Sequence, residues 1–209
     1  MASASRPAVG AGCGLGVVEL VPLEIYWQVG IGRQRKRGSS VRVLGVDPGI
    51  ATCGYGIVRQ DRGRATLMEA GAIQPPGRGA ARLVVLHDAI CRLIETFELD
   101  AAAVELLYHN RNVKTAADVG QARGVILLAL ERAGLEIAEY TPTQMKLAIT
   151  GDGRADKRQV QRLVAMRLGL EKPPTPDDAA DAVGLCLCYL HSAGLRQTVA
   201  AAQAGRRAP

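Results

Sequence analysis

Four carboxylic acids stand where predicted strands end and a predicted helix begins, and they are the residues best suited to catalysis. Asp47 ends an apolar run and is followed by a Pro-Gly turn signal. Glu105 ends a second apolar run, and the spacing of Asp178 and Asp181 places both on one face of a helix. Burying an ionised acid costs desolvation free energy unless a positive charge compensates for it, and a divalent metal ion bound by oxygen ligands is the usual source of that charge. The four acids therefore predict a metal-dependent site.

Two of these acids also have a structural explanation. An aspartate before Pro-Gly, such as Asp47, is typical of turns. Asp178 is suited to a capping box that begins at Thr175. Asp181 lies further into the helix, gains less from the helix dipole, and is better explained as a ligand. Glu105 has no turn signal, because the apolar run continues past it.

The order of elements predicts an α/β domain. Strands are predicted at 42–47, 53–59, 66–74, 101–106 and 135–140, and helices at 83–97, 112–133, 142–149, 155–169 and 175–193. Three strands joined by hairpins, followed by alternating helices and strands, are typical of a mixed five-stranded sheet with helices on both faces.

Composition narrows the class of protein. A chain of 209 residues suits one domain, and with only 3% aromatic residues its core must be built from Ala, Val, Leu and Ile. It has no uninterrupted apolar run of membrane-spanning length, which predicts no transmembrane helix and no membrane partner. The five cysteines lack paired spacing, so we expect free thiols in a reducing cytoplasm.

The two ends of the chain carry its net charge of +6, and residues 41–195 are balanced. Residues 1–40 are rich in Gly and Ser and end in a basic cluster, Arg33 to Arg37. We expect this extension to lie outside the fold. It is either a disordered arm that contacts DNA or a segment absent from the native protein. The second alternative would apply if translation starts at a GTG codon that has been read as an internal Val41. Residues 41–195 are the predicted folded domain, and residues 196–209 a basic flexible tail.

The chain resembles RuvC-type Holliday-junction resolvases over residues 41–192, in motifs that share their order and spacing. These motifs are Asp47-Pro48-Gly49 with Gly54-Tyr55-Gly56, Glu105 with Tyr108, Gly120-Gln121-Ala122-Arg123-Gly124, Thr150-Gly151 with Ala155-Asp156-Lys157, and Asp178-Ala179-Ala180-Asp181-Ala182. The resemblance implies a ribonuclease-H-like fold. It also implies a homodimeric, magnesium-dependent endonuclease that cuts four-way DNA junctions in recombination and repair.

The resemblance also implies roles for single residues. Asp47, Glu105, Asp178 and Asp181 would hold two Mg²⁺ ions per subunit, with Mn²⁺ as a substitute. Tyr108 would stack on a base of the opened junction, and Arg111, Lys146 and Lys157 would contact DNA. The resemblance implies three partners: junction DNA, a second copy of the chain and the RuvA–RuvB branch-migration complex. It also implies that the protein works in the cytoplasm. We expect the subunit contact on helix 112–133, because Ala116, Gly120 and Gly124 form a small-residue face there.

The sequence departs from the family at two positions near the predicted site. Leu106 replaces a polar residue that commonly follows the strand-end Glu, and Tyr108 replaces the commoner Phe. Two other classes remain as alternatives: a ribonuclease-H-like nuclease acting on structured RNA, and an actin-like phosphotransferase. A junction-binding protein without catalysis is a third, and the presence of all four acids argues against it.

Overall fold

A five-stranded sheet organises the protein, whose computed structural model describes residues 40–106 and 113–205. The strands are β1 (Ser40–Asp47), β2 (Cys53–Asp61), β3 (Arg64–Ile73), β4 (Ala101–Glu105) and β5 (Glu136–Tyr140). The helices are α1 (Ala80–Phe97), α2 (Val113–Arg132), α3 (Pro142–Thr150), α4 (Lys157–Leu168) and α5 (Asp177–Gly205). Nine of these ten elements lie close to their predicted bounds.

The strands lie in the order β3-β2-β1-β4-β5. Strand β2 is antiparallel to both β1 and β3, whereas β4 runs parallel to both β1 and β5. The predicted mixed five-stranded sheet is therefore confirmed. Because β1 and β4 are parallel neighbours at the centre, their carboxyl ends meet at one end of the sheet.

Helices cover both faces of the sheet, as predicted. Alternate residues of β1 point to opposite faces, so that Val43 packs with α3, α4 and α5 while Leu44 packs with α1 and α2. Strand β4 follows the same alternation with alanines, which leave room for helices to approach closely. Within the described ranges, no helix has both the length and the apolar character needed to cross a membrane.

Helix α5 packs directly against the backbone of β1 and β2, over three glycines that we call the glycine seat: Gly45, Gly54 and Gly56. A Cβ atom at Gly45 would lie 1.8 Å from the carbonyl oxygen of Ala182, and one at Gly54 would lie 2.2 Å from that of Asp178. No side chain fits at these distances. The glycine seat therefore sets how deeply α5 lies on the sheet.

The predicted end of α5 is wrong. The helix continues to Gly205 and so enters the stretch 196–209 that was predicted as a flexible tail. The physical reason is composition, because residues 199–204 consist mainly of alanine, the strongest helix former. The predicted division into an extension, a domain and a tail remains a prediction.

Candidate active site

The first two predicted acids lie side by side at the centre of the sheet. Val46 of β1 is paired with Val104 of β4, so the residues that follow, Asp47 and Glu105, come together where the two strands end. Both side chains are partly buried, and their carboxyl groups lie within hydrogen-bonding reach of each other. A hydrogen bond between two carboxyl groups requires a proton on one of them. Contact between these two carboxyl groups therefore favours a proton on one of them.

Burial explains the electrostatics of this pair. It raises the pKa of Asp47, and the nearby charge of Asp178 raises it further, whereas the hydrogen bond from Glu105 and the charge of Lys157 oppose the shift. The pKa of Glu105 is strongly raised, first by burial and then by the hydrogen bond and charge of Asp47. Two acids that both lose hydration and repel each other cannot both ionise easily. A cation bound between them would relieve this cost.

The other two predicted acids come from the first turns of α5. The backbone of Asp178 lies against Gly54, which is the β2 partner of Asp47, so the glycine seat brings this acid to the strand ends. Asp181 is half-buried, and burial raises its pKa although a hydrogen bond from Lys157 opposes the shift. The charge of Asp181 also raises the pKa of Glu105. All four predicted acids therefore lie in one electrostatic cluster.

Lys157, which was predicted to contact DNA, is part of this cluster. Its Nζ atom lies 3.1 Å from Oδ2 of Asp181 and 3.3 Å from Oδ2 of Asp177. Gln161 donates a 3.0 Å hydrogen bond to the other oxygen of Asp177. Burial alone would lower the pKa of Lys157, but the two aspartates together raise it. Lys157 is held in place as the first residue of α4, because Asp156 caps this helix by accepting a hydrogen bond from the backbone N–H of Gln159.

The remaining predicted DNA contacts are less closely connected to the acids. Lys146 lies on α3, and its ammonium group has no hydrogen bond or ion pair with any residue that the structure describes. The neighbouring residues Met145 and Ile149 pack α3 against Gly184 of α5. Tyr108 and Arg111 lie outside the described residues.

The donor set fits a divalent metal in chemistry and in charge. Four carboxylates with one ammonium group leave an excess of negative charge, and carboxylate oxygens are the ligands that Mg²⁺ and Mn²⁺ prefer. Among the described residues, no three such side chains already surround one point as in a formed metal site. The reason is visible in the contacts, since Asp47 faces Glu105 and Asp181 faces Lys157.

The raised pKa of Glu105 predicts a pH-dependent gain in stability when this residue is replaced. The folded protein keeps a proton that the unfolded chain releases above about pH 4, so ionisation increasingly disfavours folding as pH rises through the neutral range. Glu105→Gln removes this cost. In EDTA, the variant should melt at a higher temperature than the wild type near pH 8 and show little difference near pH 4. If the variant and the wild type differ in melting temperature by the same amount at both pH values, the pKa of Glu105 is not raised in the folded protein.

Two features of the site were not predicted from the sequence. Gly54 and Gly56 stood in a recognised motif and Gly45 did not, and only the structure shows that all three glycines lie directly under α5. Gly54 and Gly56 point to the same face of β2, and this alternation is a signal for close helix packing. The pairing of Lys157 with both Asp177 and Asp181 had no comparable signal, because it depends on how α4 meets α5.

Comparison with known proteins agrees with this geometry. The family model described as crossover junction endodeoxyribonuclease RuvC matches residues 43–189. The protein of that name from Rubrobacter xylanophilus is 52% identical over 152 residues, which cover 72% of this chain and 85% of the relative. The one from Chloroflexus aggregans is 47% identical over 155 residues, which cover 73% of this chain and 94% of the relative.

Solved structures show the same fold. Thermus thermophilus RuvC superposes with a TM-score of 0.68 at 31% identity, covering 74% of this chain and 96% of that one. The same protein in complex with a Holliday junction substrate gives a TM-score of 0.69 at 32% identity, covering 73% of this chain and 94% of that one. The family match, the relatives and the shared fold lead to one conclusion: this chain belongs to the RuvC family of crossover junction endodeoxyribonucleases.

Proposed function

We propose that the protein cuts four-way DNA junctions by metal-dependent hydrolysis of phosphodiester bonds, in recombination and DNA repair. The observation that carries the proposal is the cluster of Asp47, Glu105, Asp178 and Asp181 at one end of the sheet, in a chain of this family. Its structural relative from Thermus thermophilus is described in complex with a Holliday junction. We infer that the four acids hold two Mg²⁺ ions, with Mn²⁺ as a substitute.

The residues of the chain have separate tasks in this mechanism. When bound, two metal ions would supply an activated water and charge stabilisation at the leaving oxygen. Asp47 and Glu105, without a proton between them, would hold the metal from the strand ends, and Asp178 and Asp181 would complete the ligand set from α5. Among the described residues, Lys157 is the cation that forms ion pairs at this cluster, so its ammonium group is suited to contact the phosphate that is cut. Tyr108, Arg111 and Lys146 would hold the surrounding DNA.

A homodimer would give the enzyme two equivalent sites, as symmetric cutting of a junction requires. Helix α2 presents an exposed stripe that suits a second copy, formed by Ala117, Gly120, Gly124 and Leu128. Nothing described lies within 4 Å of a Cβ atom built at Gly120 or Gly124. A groove of about 450 Å³ beside this stripe is lined by the apolar residues Leu127, Leu128 and Ile137 together with the acids Glu131 and Glu139.

Gly120→Trp should therefore weaken the dimer, because its indole would stand where the second copy is expected. Sedimentation velocity should show a larger monomer fraction, and junction cutting should change from paired to single nicks. Thr96→Trp, at an exposed position on α1, is the matched control and should remain dimeric. A wild-type protein that sediments as a monomer both free and on the junction would contradict the dimer.

One set of assays separates this function from its alternatives. Purified protein with Mg²⁺ should cut a synthetic four-way junction and leave a linear duplex of the same sequence intact. Cutting of structured RNA instead would indicate a ribonuclease, and ATP hydrolysis without DNA cutting would indicate a phosphotransferase. Since the proposed substrate is chromosomal DNA, we also place the enzyme in the cytoplasm, where it would work with the RuvA–RuvB branch-migration complex. Co-sedimentation with that complex on a junction tests the partnership.

A further inference from the structure

Helix α4 carries a strong positive charge. Its sequence, KRQVQRLVAMRL, contains four cationic residues and no acid. Val160, Val164 and Ala165 are buried and face the core. Arg158 and Arg162 are exposed and lie one turn apart, so both point outward on the same face. We call these two residues the arginine pair.

The arginine pair is free, unlike several other arginines of the domain. Neither guanidinium has a hydrogen bond or an ion pair with any residue in the described part of the chain. By contrast, Arg42 donates to the carbonyl oxygen of Phe97 at 2.7 Å, and Arg167 donates to that of Ile149 at 2.9 Å. Those two arginines join elements of the fold. The arginine pair has no such structural task in the described contacts.

The position of the pair connects it to the active site. Helix α4 begins at Lys157, whose ammonium group lies 3.1 Å from Asp181. With a rise of about 1.5 Å per residue, Arg162 lies roughly 8 Å along the helix from Lys157. Successive phosphates of one DNA strand rise about 3.4 Å along the duplex axis. An α4 that lies along the bound strand would therefore bring the pair to phosphates within a few nucleotides of a bond held at Lys157.

We propose that Arg158 and Arg162 bind the sugar–phosphate backbone of the duplex arm next to the cut. The inference rests on the proposed function and extends its DNA surface along α4. Guanidinium groups suit phosphate oxygens because their N–H donors match them in pairs. Such contacts position an arm without reading its bases. The contribution of the pair should therefore be equal for junctions of different sequence.

The salt dependence of junction binding tests this proposal. Each phosphate contact adds about 0.9 to the slope of log K against log salt, so Arg158→Gln/Arg162→Gln should lower the slope by about 1.8. Gln keeps the helix propensity nearly unchanged. Binding is measured in EDTA, so that the junction stays uncut. The matched control is Arg59→Gln/Arg92→Gln, which removes the same charge at exposed positions on β2 and α1, and it should keep the wild-type slope.

Neutral methylphosphonates on the DNA provide a second test. Placed two to four nucleotides from the cut, they should weaken binding of the wild type and of the control but have little effect on the arginine variant. A wild-type slope in the arginine variant, or an equal loss of slope in the control, would overturn the proposal. A different result would contradict the proposed function itself: the wild-type protein with Mg²⁺ would leave the junction uncut. The binding slopes test the arginine pair alone.

Discussion

Asp47→Asn and Glu105→Gln should each lower the rate of junction cutting by roughly a thousandfold or more. An amide keeps the shape of the side chain but removes the negative charge that a metal requires. Both residues lie at the ends of the central strands, where no other described acid takes their place on β1 or β4. Junction binding should persist, because phosphate contacts dominate the affinity of proteins for DNA. Single-turnover kinetics measure the loss of cutting, and a gel-shift measurement in EDTA shows whether junction binding persists.

Asp178→Asn and Asp181→Asn should have comparable effects, and Asp177→Asn is their matched control. Asp177 begins the same helix but is exposed, and the hydrogen bond from Gln161 together with Lys157 lowers its pKa. Its loss should slow cutting by about threefold at most, which is the scale of a weak surface ion pair. If two of the four site variants cut at the wild-type rate, the assignment of the acids is wrong.

Gly54→Ala should impair both stability and cutting, because the new methyl group would displace the start of α5. Its Cβ would lie 2.2 Å from the carbonyl oxygen of Asp178 and 2.8 Å from the Cβ of the same residue. Overpacking of this kind costs about 1–3 kcal/mol. For a chain of this size, each kcal/mol lowers the melting temperature by about 2–4 °C. Cutting should fall at least tenfold, since small shifts of catalytic groups have large effects on rate.

The matched control is Gly194→Ala on the same helix, where a Cβ atom would meet nothing within 4 Å. Alanine there should stabilise the helix by up to about 1 kcal/mol and leave cutting unchanged. Cutting must be measured well below the melting temperature of both variants, so that unfolding does not contribute. If Gly54→Ala retains the wild-type rate and melting temperature, the glycine seat does not position Asp178.

The sequence predicted the parts of the site that depend on local signals. Asp47 and Glu105 each follow an apolar run, and such runs form buried strands whose ends expose polar side chains. Asp178 and Asp181 have helical spacing, which the structure retains. The sheet could be predicted because hairpin strands and alternating helices allow few topologies. Their roles as metal ligands rest on the family resemblance and remain a prediction.

The parts that could not be predicted depend on contacts between distant segments. The glycine seat requires α5 to cross β1 and β2 at one place, which no local spacing specifies. Lys157 was expected to contact DNA, yet it also binds Asp181, because α4 meets α5 at their first turns. The end of α5 was missed for a different reason, since a run of alanine carries no stop signal before Gly205.

The glycine seat has a consequence for the order in which activity arises during synthesis. The two acids on the strands emerge from the ribosome early, whereas Asp178 and Asp181 lie on the last helix of the described chain. Until α5 docks on Gly45 and Gly54, a nascent or partly folded chain holds only half of the proposed ligands. Such a chain would be unable to nick the chromosome. The nuclease would therefore become active only once its fold is complete.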